Sequence, residues 1–274
     1  MQRTEDKLPQ DRAQQLYLES LVGQITGWSN PQQRLMQAFR CDEFILYHQP
    51  IRPVARERTH DLMEVLVRHQ DEEKHLTPPG AFLPVLEYHG MLPMLDEWVT
   101  RRFIRWYREN AKQRRIRCFV NVAGATLREP RFAVAVRELL REQAVPGEVL
   151  CFEVQEGELL SHTQEIRPTI RALQEAGCNI AVGSVGRQSV SFKSIQAVAA
   201  RYVKLDGSLV RELHRDPVAL AKARAINRVC HMAGMETVAE FVEEPETLEA
   251  LRSIDVDYAQ GFGISRPAPL YGPE

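Results

Sequence analysis

No apolar run in the 274 residues approaches the roughly 18 that a membrane-spanning helix needs, so no segment of this chain is read as a bilayer span. The opening Met1-Gln2-Arg3-Thr4-Glu5-Asp6 lacks the apolar core of a secretory signal, and a cytoplasmic location is expected. Cys41, Cys118, Cys151, Cys178 and Cys230 stand singly with no C-x-x-C pair, which argues against a zinc site and for reduced, buried thiols. No G-x-G-x-x-G follows an apolar run, so a doubly wound dinucleotide-binding sheet is disfavoured. Neither sign of charge is in excess. The formal net charge of -2 gives no general attraction to DNA, RNA or an anionic membrane.

What is present is a regular alternation. Two helical patterns, Ala13 to Ile25 and Pro31 to Phe39, precede the first strand and are separated by the breaker Gly27-Trp28-Ser29-Asn30-Pro31. Residues 1–40 are therefore expected to form a helical extension or linker suited to attachment to another domain, and 41–274 a single larger domain. Short apolar runs follow: Glu43 to Pro50, closed by a proline, then Leu62 to Val67, Cys118 to Val122 and Val149 to Val154. Ile180 to Val182 with Gly183 as its end, Tyr202 to Asp206, Thr237 to Glu240 and Tyr258 to Phe262 complete the series. Between them lie helical patterns at Pro78 to Tyr88, Leu95 to Tyr107, Pro130 to Gln143, Thr169 to Gly177 and Pro217 to Ala233. About eight short strands alternating with helices over a length near the roughly 250 residues of one α/β barrel predict a closed barrel.

Most of these runs hold one polar residue. Glutamate is rarely buried without a partner, so Glu64 inside Leu62 to Val67 is a candidate for function. Asn121, Glu153, Lys204, Glu240 and Gln260 recur near the ends of later strands, where a barrel would aim them at one central mouth. Taken singly, each has an even chance of being a structural ion pair. As a set, oxygen ligands of this kind suit magnesium or manganese, with a lysine to orient water or neutralise phosphate, which outlines a phosphodiester site.

The same residues resemble the EAL family of cyclic-di-GMP phosphodiesterases from about Asp42 to Leu270. Tyr47-His48-Gln49-Pro50-Ile51 resembles the family's first strand, and Glu64-Val65-Leu66-Val67-Arg68 its signature Glu-Ala-Leu with the leucine and arginine that follow. Phe82-Leu83-Pro84, Val120-Asn121-Val122, Glu153-Val154-Gln155-Glu156, Val203-Lys204-Leu205-Asp206, Val238 to Glu243 and Gln260-Gly261-Phe262 are similar to further family blocks in the same order. The resemblance implies a modified (β/α)8 barrel of the TIM type with its first strand antiparallel. It implies that Glu64, Asn121 and Glu153 are metal-ligand positions, that Lys204 orients the attacking water, and that Glu240 and Gln260 complete the site. Glu156 would brace the loop after the central strand. Gln49, Leu66, Arg68, Pro84 and Pro267 would cradle the dinucleotide, with Glu64, Lys204, Glu240 and Gln260 also lining its site.

Where the family carries Asp-Asp-Phe-Gly-Thr-Gly, this chain has Gly183-Ser184-Val185-Gly186-Arg187-Gln188. Both bridging carboxylates are missing, and a paired-metal mechanism is expected to fail, because glycine offers no ligand and a serine hydroxyl is a poor one for magnesium. No cofactor is then required. A weak single-ion site at Glu64, Asn121 and Glu153 is conceivable, and magnesium or manganese would matter only to residual hydrolysis. The expectation is a degenerate, catalytically inactive domain that binds cyclic-di-GMP as a receptor. The alternatives are a protein-interaction scaffold that no longer binds nucleotide and a weak metal-dependent phosphodiesterase giving the linear dinucleotide. The expected partners are cyclic-di-GMP, an unidentified protein and a possible second copy of the chain. Arg187 is expected to fold into the mouth and to pair with Glu153, Glu156 or Glu240 in place of the metals.

Overall fold

The computed structural model describes residues 28, 30–55, 60–70, 75–111, 115–187 and 190–271. Among the described residues there are ten strands: β1 (Phe44–Pro53), β2 (Asp61–Gln70), β3 (Leu76–Thr77), β4 (Ile116–Asn121), β5 (Leu150–Gln155), β6 (Asn179–Val185), β7 (Tyr202–Leu205), β8 (Glu236–Ala239), β9 (Tyr258–Ala259) and β10 (Ala268–Pro269). Hydrogen bonding runs β1-β9-β8-β7-β6-β5-β4-β2, and the further pairing of β1 with β2 closes an eight-stranded ring. Neighbours from β2 round to β9 are parallel, whereas β1 runs antiparallel to β9, with Arg52 opposite Ala259. Helices fill the intervals between strands, including Leu92–Asn110, Pro130–Gln143, Glu156–Glu175 and Pro217–Met232. This is the barrel that the strand count and the resemblance predict.

The chain divides into two compact units. One takes 47–66 and 96–274 and holds the barrel; the other takes 1–46 and 67–95. In the smaller unit the helix Pro31–Arg40 starts on an Asn30 cap that accepts from the amide of Gln33. There Glu43 accepts from Arg34 Nη1 at 2.5 Å and lies 3.0 Å from His69 Nε2, which joins the helix to the far end of β2. The expected helix Ala13 to Ile25 lies outside the described residues.

Several expected boundaries move. β1 does not stop at Pro50 but continues to Pro53, because Pro50 falls between the stretch paired with β10 and the stretch paired with β9. Gly183 does not end β6. The strand runs on to Val185 through a register shift against β7, and Ser184 takes the left-handed φ of 57° that such a bulge accommodates. The pattern at Thr169 is the last third of a helix that begins at Glu156, with a non-helical φ of -133° at His162 and Pro168 inside it.

One residue from each barrel strand packs at the centre: Ile51, Leu62, Phe119, Cys151, Ala181, Tyr202, Val238 and Tyr258, none more than 3% exposed. Side chains alternate across a strand, so the residue two positions onward points to the same interior. That rule fixes the site described below. Of the five cysteines, four are buried and Cys41 is exposed, and all are free thiols.

The helix Leu92–Asn110 is tied to the chain just beyond β4 by Asp96, whose Oδ2 accepts from Ala123 N at 2.8 Å and from Thr126 Oγ1 at 2.5 Å. Burial raises the Asp96 carboxyl to about 6, against the pull of those two donors. A carboxyl raised on folding favours the native state below its unfolded pKa and withdraws that contribution as pH rises through the folded value. The stability of the wild type relative to Asp96→Asn should therefore decline by about 3 kcal/mol between about pH 4 and pH 7. Urea denaturation of both proteins across that range measures it.

Candidate functional site

Two residues beyond each central core residue, in the direction of the parallel strands, lie Glu64, Asn121, Glu153, Gly183, Lys204, Glu240 and Gln260. On the antiparallel β1 the equivalent residue comes two positions earlier and is Gln49. The alternation of eight strands thus places these eight residues at one end of the barrel. Glu64 is not at a strand end, as expected, but fourth in a ten-residue strand.

Lys204 is the centre of the group and is fully buried. Its Nζ lies 2.9 Å from Glu64 Oε2, 2.7 Å from Glu153 Oε2 and 2.9 Å from Glu240 Oε1. Asn121 Nδ2 donates to Glu64 Oε1 at 2.7 Å. Gln260 Nε2 donates to Glu64 Oε2 at 2.7 Å and to Gln49 Oε1 at 3.0 Å, and Gln49 Nε2 in turn donates to the Ser265 carbonyl at 2.9 Å. Gln260 Oε1 is buried without a hydrogen-bond partner among the described residues.

The electrostatics follow from one cation among three carboxylates. Burial opposes ionisation of Lys204, but Glu153, Glu240 and Glu64 hold its pKa well above the usual lysine range. Burial likewise pushes each carboxyl up. At Glu64 that push is outweighed by Lys204 and by the hydrogen bonds from Gln260, Lys204 and Asn121, so its pKa ends below the usual value. At Glu153 burial prevails over Lys204, with repulsion from Glu64 and Glu240 adding to it, and the carboxyl is raised to about 8. Glu240 is raised for the same first reason.

At Gly183 a Cβ atom would sit 2.3 Å from Glu153 Oε1 and 3.1 Å from Gln155 Nε2. The Glu153 carboxylate therefore leans into the room that a side chain at 183 would take. The Ser184 hydroxyl donates to Gln155 Oε1 at 2.6 Å, a pairing the sequence did not suggest, since Gln155 lies one position past the last apolar residue of β5. Glu156 is buried and accepts from the amide of Ser191 at 3.2 Å, which braces the segment after β6. Burial raises the Glu156 carboxyl.

Arg187 is corrected. It is exposed, and the mouth carboxylates pair with Lys204 instead. The β6 bulge and the glycine at 186, with φ of 93°, lead the chain away before residue 187 is reached. Leu66 and Pro267 are half-buried in the barrel unit. Arg68 and Pro84 are half-buried in the smaller unit, where Arg68 Nη1 donates to the Val67 carbonyl at 2.8 Å.

A model of the EAL domain matches residues 32–267. The chain belongs to the EAL-domain family. Among curated relatives, the cyclic di-GMP phosphodiesterase PdeF of Escherichia coli is 33% identical over 241 residues, 86% of this chain and 32% of the relative. The cyclic di-GMP phosphodiesterase PdeB of Shewanella oneidensis is 30% identical over 238 residues, 86% of this chain and 28% of the relative. The chain thus spans about a third of the length of the curated relatives it matches. Among solved structures, the FimX EAL domain of Pseudomonas aeruginosa bound to c-di-GMP superposes with a TM-score of 0.83 at 23% identity, covering 89% of this chain and 98% of that one. The likeness shows that this EAL domain has the same barrel.

The donor set does not fit a pair of divalent ions. Such ions need shared anionic oxygens. Gly183 supplies none, the Ser184 hydroxyl is engaged with Gln155, and the Lys204 ammonium already holds each remaining carboxylate within 2.9 Å. Among the described residues no group of three or more His, Cys, Asp or Glu side chains is arranged to hold a metal ion.

Removing Lys204 leaves three buried carboxylates with no counter-ion. Lys204→Met should lower the unfolding free energy at pH 8 by about 3 to 5 kcal/mol. The deficit should narrow toward pH 5 as the crowded carboxyls take up protons. Guanidinium denaturation at both pH values reads it, and an equal deficit at both would mean that charge is not the cause.

Proposed function

We propose that this EAL domain binds cyclic-di-GMP as a receptor and does not hydrolyse it. The single observation that carries the reading is the Lys204 ammonium, which lies within 2.9 Å of Glu64, Glu153 and Glu240. The protein's own cation pairs with each of these carboxylates and offsets part of their charge without a metal ion. A dianionic ligand then meets less repulsion than it would from a mouth bearing two further aspartates. Gln49 and Gln260 offer amide groups, with Gln260 Oε1 still free to accept, and Arg68 supplies a guanidinium suited to a phosphate. A solved EAL domain from Xanthomonas citri is described in complex with c-diGMP, which supports this ligand class.

A second reading, a metal-dependent phosphodiesterase of low rate, is favoured by the relatives named cyclic di-GMP phosphodiesterases. Calorimetric titration with cyclic-di-GMP in excess chelator and again with magnesium separates the two, together with chromatography of the nucleotide after incubation. The receptor binds equally in both buffers and leaves the ligand intact. Turnover on the order of 1 per second or more with magnesium or manganese would refute it. In the same titration Arg68→Ala should bind about tenfold to a hundredfold more weakly, the loss of one charge-assisted hydrogen bond. Unchanged affinity in that variant would place the phosphate elsewhere.

A further inference from the structure

The alternation that builds the mouth also builds the opposite end of the barrel. Two positions before the central core residues of β2, β4, β6 and β8 lie His60, Arg117, Asn179 and Glu236. Arg117 is 5% exposed, and a guanidinium buried to that degree normally faces a carboxylate. Here it does not. Its Nε donates to the Glu148 carbonyl at 3.2 Å and its Nη1 to the Tyr202 hydroxyl at 2.5 Å, and among the described residues it forms no ion pair. Among the described residues its Nη2 has no hydrogen-bond partner.

A second guanidinium converges on the same phenol. Arg201 Nε lies 3.3 Å from the Tyr202 oxygen, and both arginines lie over the Tyr202 ring, at 5.7 and 5.6 Å from its centroid. Two fixed positive charges thus share one neutral acceptor. The phenol cannot serve as their counter-ion at pH 7, because burial raises its pKa by more than the arginines draw it down. The carboxylates nearby offset only part of the charge. Glu236 lies 3.5 Å from Arg201 and also accepts from the Tyr258 hydroxyl at 3.3 Å, while Glu148 is exposed. The residual field is felt at His60, whose pKa is lowered first by burial and then by Arg117, with Arg115 and Arg201 adding to it and Glu148 opposing.

We propose that the N-terminal end of the barrel is a second anion site, taking a free phosphate-type oxyanion between Arg117 and Arg201. A tetrahedral oxyanion has the charge and the acceptor oxygens to engage two guanidinium forks at once, and Arg117 Nη2 is the donor left for it. The site is independent of the mouth: no residue of the Lys204 group takes part in it, and it does not rest on the nucleotide reading.

The test is titration of inorganic phosphate against chloride at constant ionic strength, reading the midpoint of thermal unfolding and the phosphorus NMR line width. The wild type should be stabilised by phosphate and should broaden its signal. Arg201 and Glu148 are each partly exposed, so their variants are suited to comparison in the folded state. Arg201→Gln should weaken the phosphate affinity about tenfold, the loss of one charged donor. Glu148→Gln, which removes an opposing charge, should tighten it about two- to fivefold. Saturating cyclic-di-GMP should leave the phosphate response in place. No effect of phosphate beyond that of chloride would overturn the proposal. So would a response that is the same in both variants as in the wild type, or one abolished by cyclic-di-GMP, which would assign the phosphate to the mouth.

Discussion

One buried ammonium governs the interior of this barrel. Lys204 is wholly removed from water, and such a charge persists only where anionic partners outweigh the cost of desolvation. Glu64 on β2, Glu153 on β5 and Glu240 just after β8 provide that, so the ion group is a three-way connection across the lumen. The dependence is mutual, since Lys204 is the charge that opposes the upward push of burial on all three carboxyls. Around this core the neutral amides of Asn121, Gln260 and Gln49 orient the remaining oxygens and complete a network that touches β1, β2, β4, β5, β7 and the segments after β8 and β9.

The glycine at 183 has to be understood against that network. In a site built for two ions, carboxylates at positions 183 and 184 of β6 would share the metals with Glu153. Without them Glu153 occupies the vacated room and turns its other oxygen to Lys204 at 2.7 Å. Ser184 keeps a left-handed backbone that non-glycine residues seldom adopt, yet its hydroxyl is held by Gln155. The strand end is therefore reorganised into an alternative, internally satisfied arrangement, and the same electrostatic logic makes an anion-binding role consistent with the barrel that carries it.

Much of this was legible in the sequence because a barrel strand is buried on both faces, so a polar residue within it stands out. Glu64, Asn121, Glu153, Lys204, Glu240 and Gln260 were visible for that reason, and the structure brings all six together. Gln49 carried no such signal, since it sits beside a histidine and a proline in a run that already looks mixed; only its likeness to a family block pointed to it. Arg117 gives no such signal because it stands second in its strand, where a charged residue looks like a solvated end. The length of Glu156–Glu175 was hidden by Gly157 and Pro168, each a local breaker that tertiary packing overrides. For Arg187 charge complementarity alone points into the mouth, but the backbone path does not allow it. A bulge and a left-handed glycine decide where that side chain can reach.

The reversed direction of β1 has a mechanical meaning. Because β1 descends the ring while β2 ascends it, the ends Pro53 and Asp61 both lie at the floor. Gln49 on β1 and Glu64 on β2 face each other across the seam between the antiparallel strand and the parallel ones. Gln260 Nε2 bonds to both of them at once, at 3.0 and 2.7 Å, and acts as a gauge of their relative height. An amide bonded on both sides of the seam between the antiparallel strand and the parallel ones thus ties the height of one to that of the other.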